Sequence, residues 1–168
     1  MMRMLSVVAA LALPLAAADA AAERRISFAP YALPESGTVA IAVREGVPAE
    51  GAFAQLDAAS QGALRRAVTA MDFKGERDSQ LDLPGIAGYD RVIVVGIGAE
   101  PVTPRVLEDF GGLVGQAAAG SASPRIELLW PGNETDAGVH LAFGAALGEY
   151  RFDKYRERQD VATATGEG

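Results

Sequence analysis

The chain contains no cysteine, one histidine (His140) and one tryptophan (Trp130), and aromatic residues make up only 7% of it. Without cysteine there is no disulfide framework, no thiolate zinc site, no CxxC redox pair and no cysteine nucleophile. A single histidine cannot supply a cluster of imidazole ligands. Basic residues are scarce too: 15 Lys and Arg stand against 22 Asp and Glu, a formal charge of −7 without any basic run. Sequence-independent nucleic-acid binding needs clustered Lys and Arg to release counterions, so no nucleic-acid partner is expected.

What is present fits a single folded domain. At 168 residues the chain is long enough to bury a core without staples. Hydrophobic residues reach 49%, although 33 of them are alanine, so large apolar side chains are fewer than that figure suggests. With 22% charged residues and several strongly apolar runs, the composition is not that of a disordered chain.

The N-terminus reads as a secretory signal peptide. Met1-Met2-Arg3-Met4 is weakly basic, Leu5 to Leu15 is an apolar run, and Ala18-Asp19-Ala20 has the small-x-small form of a cleavage site, with Ala20-Ala21-Ala22 as a second choice. The run is shorter than the roughly 20 residues that a membrane span needs. The alternative is an alanine-rich helix docked on the domain. Removal of residues 1–20 takes Arg3 and Asp19 together and leaves the charge at −7. Export to the periplasm is the expected location, cytoplasm the alternative, with no membrane contact after the signal is removed.

Along the remainder, Arg24–Ala29 is a modest strand candidate and Thr38–Val43 a buried strand. Glu45–Gly51 is a loop broken by Gly46, Pro48 and Gly51. A helix is expected from about Asp57 to Met71, capped by Asp57 or Ser60, with Leu56, Leu64, Ala67, Val68 and Met71 on one stripe. Ser79–Leu83 is a short strand. Asp90–Gly96, β-branched and apolar on both faces, belongs in mid-sheet. Thr103-Pro104 opens a helix to about Ala119, the hydroxyl capping and the proline at its first position. Arg125–Trp130 is a further strand. The last helix starts near Thr135 or Asp136, with Val139, Phe143, Ala146, Leu147 and Tyr150 on its expected buried side. The sum is an α/β domain with a mixed, largely parallel sheet and helices on both faces.

Gly96-Ile97-Gly98 follows a strand and precedes a helix, where a dinucleotide fold places its phosphate loop. The third glycine is absent, Pro101 standing in its place, and a strand-end turn explains the pair instead. Gly111, Gly112 and Gly115 could admit a ligand, but close packing on the sheet or a partner domain is the reading preferred. His140, flanked by Val139 and Leu141, reads as a structural donor, since no nucleophile and orienting acid accompany it. Gly-x-Ser-x-Gly does not occur. Arg151 to Arg156 mixes aromatics with both charge signs and suits packing on a neighbouring domain. No catalytic, cofactor-binding or metal-binding residue is assigned.

Met71-Asp72-Phe73-Lys74-Gly75-Glu76, Leu83-Pro84-Gly85-Ile86, Tyr89–Gly98 and Gly144–Tyr155 occur in an order and at gaps that resemble the N-terminal domain of the leucyl (cytosol) aminopeptidase family. The likeness covers roughly residues 38–156. It implies a macro-domain-like α/β fold over 21–156, with 157–168 starting a linker to an absent catalytic domain. It further implies that the parent enzyme releases N-terminal amino acids with two divalent metals, zinc or manganese, held in that C-terminal domain. Asn133-Glu134-Thr135-Asp136-Ala137-Gly138-Val139-His140-Leu141 is superficially similar to the family's N-T-D-[AG]-E-G-R-L motif. It lacks the Glu and Arg at their places, so no catalytic residue carries over. The partner implied is the chain's own catalytic domain, through Tyr150–Tyr155, with a family hexamer possible only together with that domain. The alternatives are a freestanding macro-like module for ADP-ribose or a nucleotide, and an exported protein that has lost its peptidase half.

Overall fold

A computed structural model describes residues 25–46, 50–119, 121 and 125–164, with side chains as far as Tyr150 and again at Lys154. The signal peptide read in residues 1–20 lies outside the described residues. Among the described residues, four strands and four helices follow in the order β1 (Thr38–Val43), α1 (Gly51–Ala59), α2 (Ala63–Ala70), β2 (Gln80–Pro84), β3 (Arg91–Gly96), α3 (Pro104–Ala119), β4 (Ile126–Leu129) and α4 (Ala137–Ala164).

The strands form one sheet in the order β2-β3-β1-β4. β1 runs parallel to β3, with Val39 opposite Val92 and Ile41 opposite Val94, and parallel to β4 on its other side. β2 closes one edge antiparallel to β3, with Leu81 opposite Val94. The sheet is therefore mixed and largely parallel. The alternation along β1 and β3 divides their side chains between two cores. Val39, Ile41, Val92 and Val94 meet Phe53, Leu56 and Leu64 of α1 and α2. Ala40, Ile93 and Val95 meet Val106, Leu107 and Phe110 of α3 and Leu141 of α4. Strands buried on both faces need apolar residues at every position, which is why 92–95 is unbroken.

The helix expected over 57–71 is two helices. α1 starts at Gly51 (φ +56), inside the stretch expected to be a loop, and packs against Pro131. The break comes at Gln61 and Gly62, both left-handed, where the Gly62 N–H donates to the Asp57 carbonyl. Asp57 and Ser60 do cap, but they cap α2 from outside it. The Arg65 N–H donates to Asp57 Oδ1 at 2.8 Å and the Leu64 N–H to Ser60 Oγ at 3.3 Å. Met71 lies past the end of α2 and is exposed. Burial would push the Asp57 carboxyl up, but the Arg65 amide and guanidinium outweigh it and hold the group below its usual range.

Two other expectations fail. Residues 25–29 form no strand, and Ile26 and Phe28 are exposed. The buried side of α4 is also the opposite one. Val139, Phe143, Ala146, Leu147 and Tyr150 face outward, while Ala137, Leu141, Gly144 and Gly148 face α3. The reason is steric. A Cβ at Gly111 or Gly115 would overlap the carbonyl oxygen of Leu141 or Ala145, and one at Gly144 or Gly148 that of Glu108 or Gly112. Glycine on both helices lets their backbones meet, and only the small-residue side of α4 can enter that seam. Gly111 and Gly115 are thus close-packed, as expected, but on α4 and not on the sheet or a partner domain. The backbone of α4 continues helical through 157–164, within the 157–168 stretch read as the start of a linker.

Candidate functional site

In open α/β sheets, ligands bind outside the carboxyl ends of parallel strands, where successive connections leave for opposite faces. Here β1 leads to α1 on one face and β3 leads to α3 on the other. A cleft of about 220 Å³ opens at that point, with Arg44, Glu50, Gly51, Ile97, Trp130 and Glu134 among its lining.

Arg44, Trp130 and Glu134 are already engaged. The Arg44 guanidinium donates to the Ala99 carbonyl at 2.7 Å and to that of Glu100 at 3.4 Å. Trp130 Nε1 donates to Glu134 Oε2 at 2.8 Å. A dinucleotide pocket would offer free amides from the glycine loop, and this loop has spent its amides. Gly96 N–H donates to Ser79 O at 2.8 Å, Ile97 N–H to Val43 O at 3.0 Å and Gly98 N–H to Gly75 O at 3.0 Å. The close approach of residues 75–79 is what requires glycine at 96, where a Cβ would lie 2.6 Å from Gly75 C. With carboxylates at Glu50 and Glu134 and its arginine committed to carbonyls, the cleft offers a pyrophosphate little.

A second opening of about 450 Å³ lies beside it, lined by Arg44, Phe53, Arg65, Phe73, Lys74 and Glu76. Its cations are also paired. Arg65 Nε meets Asp57 Oδ2 at 2.9 Å, and Lys74 pairs with Asp72.

His140 sits on α4 with Nδ1 at 2.9 Å from Glu108 Oε1 of α3, so it cross-links the two helices. The Glu134 carboxylate, just before α4, accepts from the Trp130 indole. Asp109 accepts from Arg77 at 2.7 Å and from Arg105 at 2.9 Å, fastening the 75–79 loop to α3. Among the described residues, no three His, Asp or Glu side chains converge as a metal would require. No described helix is long and apolar enough to cross a membrane. Sequence reasoning missed Arg44, whose partners lie more than fifty residues away and leave no local pattern. It missed the Trp130–Glu134 bond too, although an indole four residues before a carboxylate is a signal that could have been read.

Comparison with known proteins places this arrangement. The family model described as the N-terminal domain of the cytosol aminopeptidase family matches residues 40–159. A "Probable cytosol aminopeptidase" of Caulobacter vibrioides is 34% identical over 137 residues, covering 79% of this chain and 28% of the relative. A protein of the same description from Nitrobacter winogradskyi is 30% identical over 141 residues, covering 80% and 28%. Another from Methylobacterium radiotolerans is 36% identical over 111 residues, covering 62% and 22%. Among solved structures, a mutant of tomato leucine aminopeptidase superposes with a TM-score of 0.52 at 22% identity, over 68% of this chain and 25% of that one. That last likeness concerns the fold.

Proposed function

We propose that this chain, which belongs to the cytosol aminopeptidase family through that family's N-terminal domain, serves as the non-catalytic N-terminal domain of an exported leucyl aminopeptidase-like enzyme. The observation that carries the reading is a disparity of length. The match takes up about four-fifths of this chain but only 28% of the Caulobacter and Nitrobacter relatives. The parent enzyme would release N-terminal amino acids from peptides, and the chemistry would sit in the part this chain does not span.

Two divalent metals, zinc or manganese, would belong to that other part. The described residues do not fit them, since Glu134 is bonded to Trp130 and Asp57 to Arg65. A two-metal site takes several carboxylates converging from separate elements, so no catalytic step is assigned to a residue of this chain. Its own role is that of a folded unit that packs on the catalytic half through Tyr150–Tyr155. The exposed ring of Tyr150 supports that direction. Arg3, the apolar run and Ala18-Asp19-Ala20 support export.

The test is turnover of leucine p-nitroanilide by the purified chain in added zinc or manganese. No release of p-nitroaniline above the metal blank is expected. Turnover that survives a second purification step would refute the non-catalytic reading.

A further inference from the structure

The cleft of about 220 Å³ at the ends of β1 and β3 is smaller than the roughly 300 Å³ at which pockets for drug-sized ligands begin. Ala52, Phe53, Ile97 and Leu129 line it as buried apolar residues, and Val102 and Trp130 extend the same surface. Charge enters only through Arg44, Glu50 and Glu134. Each keeps hydrogen-bonding capacity to spare. Both Arg44 bonds leave from Nη2, so Nε and Nη1 have no acceptor among the described residues. Glu134 accepts from the Trp130 indole on Oε2 and leaves Oε1 open. The Glu50 carboxylate is exposed and makes no bond to the helix it precedes. Next to it, the first turn of α1 also lines the cleft. There the N–H groups of Gly51, Ala52 and Phe53 find no acceptor among the described residues.

We propose that this cleft binds one apolar α-amino acid of about leucine's size, as its zwitterion. Such a ligand carries an ammonium, a carboxylate and a side chain on one carbon. Its site must therefore set acceptors and donors side by side, next to an apolar recess. Glu50 beside the first amides of α1 is that juxtaposition. Glu50 and Glu134 Oε1 accept from the ammonium, while the α1 amides and Arg44 donate to the carboxylate. The side chain enters the recess lined by Phe53, Ile97 and Trp130. Overall neutrality suits a lining of one guanidinium, two carboxylates and the positive end of a helix. A pyrophosphate, negative throughout, meets the same carboxylates and gains nothing from them. Single amino acids are also what the parent enzyme would release, so the cleft would hold its product. That consequence rests on the function proposed above; the binding itself stands whether or not the chain turns over a peptide.

Trp130 is the one tryptophan of the chain and lines the cleft, so its indole N–H reports occupancy in two-dimensional NMR of the full chain. Leucine should shift that signal saturably, with a Kd on the order of 1 mM for so small a ligand. Leucinamide lacks the carboxylate, 4-methylpentanoate the ammonium and glycine the side chain. Each should bind at least roughly fivefold more weakly than leucine. Glu50→Gln should weaken leucine about tenfold. Its thermal midpoint should stay that of the parent, because the carboxylate is exposed and caps nothing. Absence of a saturable shift up to about 20 mM leucine would overturn the proposal. Leucinamide, 4-methylpentanoate or glycine binding as well as leucine would overturn the zwitterion reading. Undiminished binding by Glu50→Gln would overturn the site.

Discussion

The glycine seam between α3 and α4 can be tested with one pair of substitutions on the same helix. At Gly115 an added Cβ would lie 2.9 Å from Ala145 C and 3.0 Å from Ala145 Cα, and closer still to the Ala145 carbonyl oxygen. These are backbone atoms that cannot rotate aside, so Gly115→Ala must push the helices apart by about 1 Å. A gap of that size forfeits a quarter to a half of each affected dispersion contact, and overpacking of this kind costs typically about 1–3 kcal/mol. Against it stands the helix-propensity gain of alanine over glycine, about 1 kcal/mol. Gly112, three residues earlier, would place its Cβ 3.6 Å from Gly144 O, an ordinary contact. Gly112→Ala collects the same propensity gain with no clash. The two variants should therefore move in opposite directions in urea or thermal unfolding. Gly115→Ala should lose up to roughly 2 kcal/mol, as much as several degrees of midpoint for a domain of this size, while Gly112→Ala gains up to about 1 kcal/mol. Equal effects at the two positions would refute the close approach of the helices.

Other consequences are open to simpler measurements. Val94 is fully buried on a strand flanked on both sides, so Val94→Asp should cost several kcal/mol, and a thermal midpoint within a few degrees of the parent would contradict its place in the sheet. Asp57→Ala removes the cap of α2 and its ion pair and should cost about 1–2 kcal/mol near neutral pH by denaturant titration. Because the folded carboxyl lies below the unfolded value of about 3.9, its contribution is full above that pH and fades as pH falls through the folded pKa. The gap between parent and variant should narrow in that acid window and nowhere else. In a bacterium expressing the chain from its own start, intact mass should show a product shorter by about twenty residues, and Met1 retained on exported protein would defeat that reading.

Much of this fold was legible because its cues are local. The β-branched run 92–95 declares a central strand, and Thr103-Pro104 begins α3 as read, with the Val106 N–H donating to Thr103 Oγ1. The order of family-like segments was legible too, since their spacing survives in the sequence. What escaped depends on partners far along the chain. The outward turn of Phe143 follows from glycines on another helix, and a rule that sends large apolar residues inward chose the wrong side. Gln61-Gly62 broke a stripe that looked continuous, because the Asp57 side chain caps the second helix from the first. Residues 25–29 have strand-like composition but pair with nothing among the described residues. At the cleft, the glycine loop resembled a phosphate site until its amides were traced to Ser79, Val43 and Gly75.

The central claim, that this is one domain of a larger enzyme, is tested most directly by the size of the natural polypeptide that carries it. The 137 residues matched in the Caulobacter relative are 28% of its length, which places that protein near 490 residues, roughly three times this chain. An antiserum against the folded domain, applied to fractionated source cells, should detect a polypeptide of about that size, eluting with leucine p-nitroanilide activity. A sole immunoreactive band at or below the 17.4 kDa of this chain, eluting apart from that activity, would contradict the account.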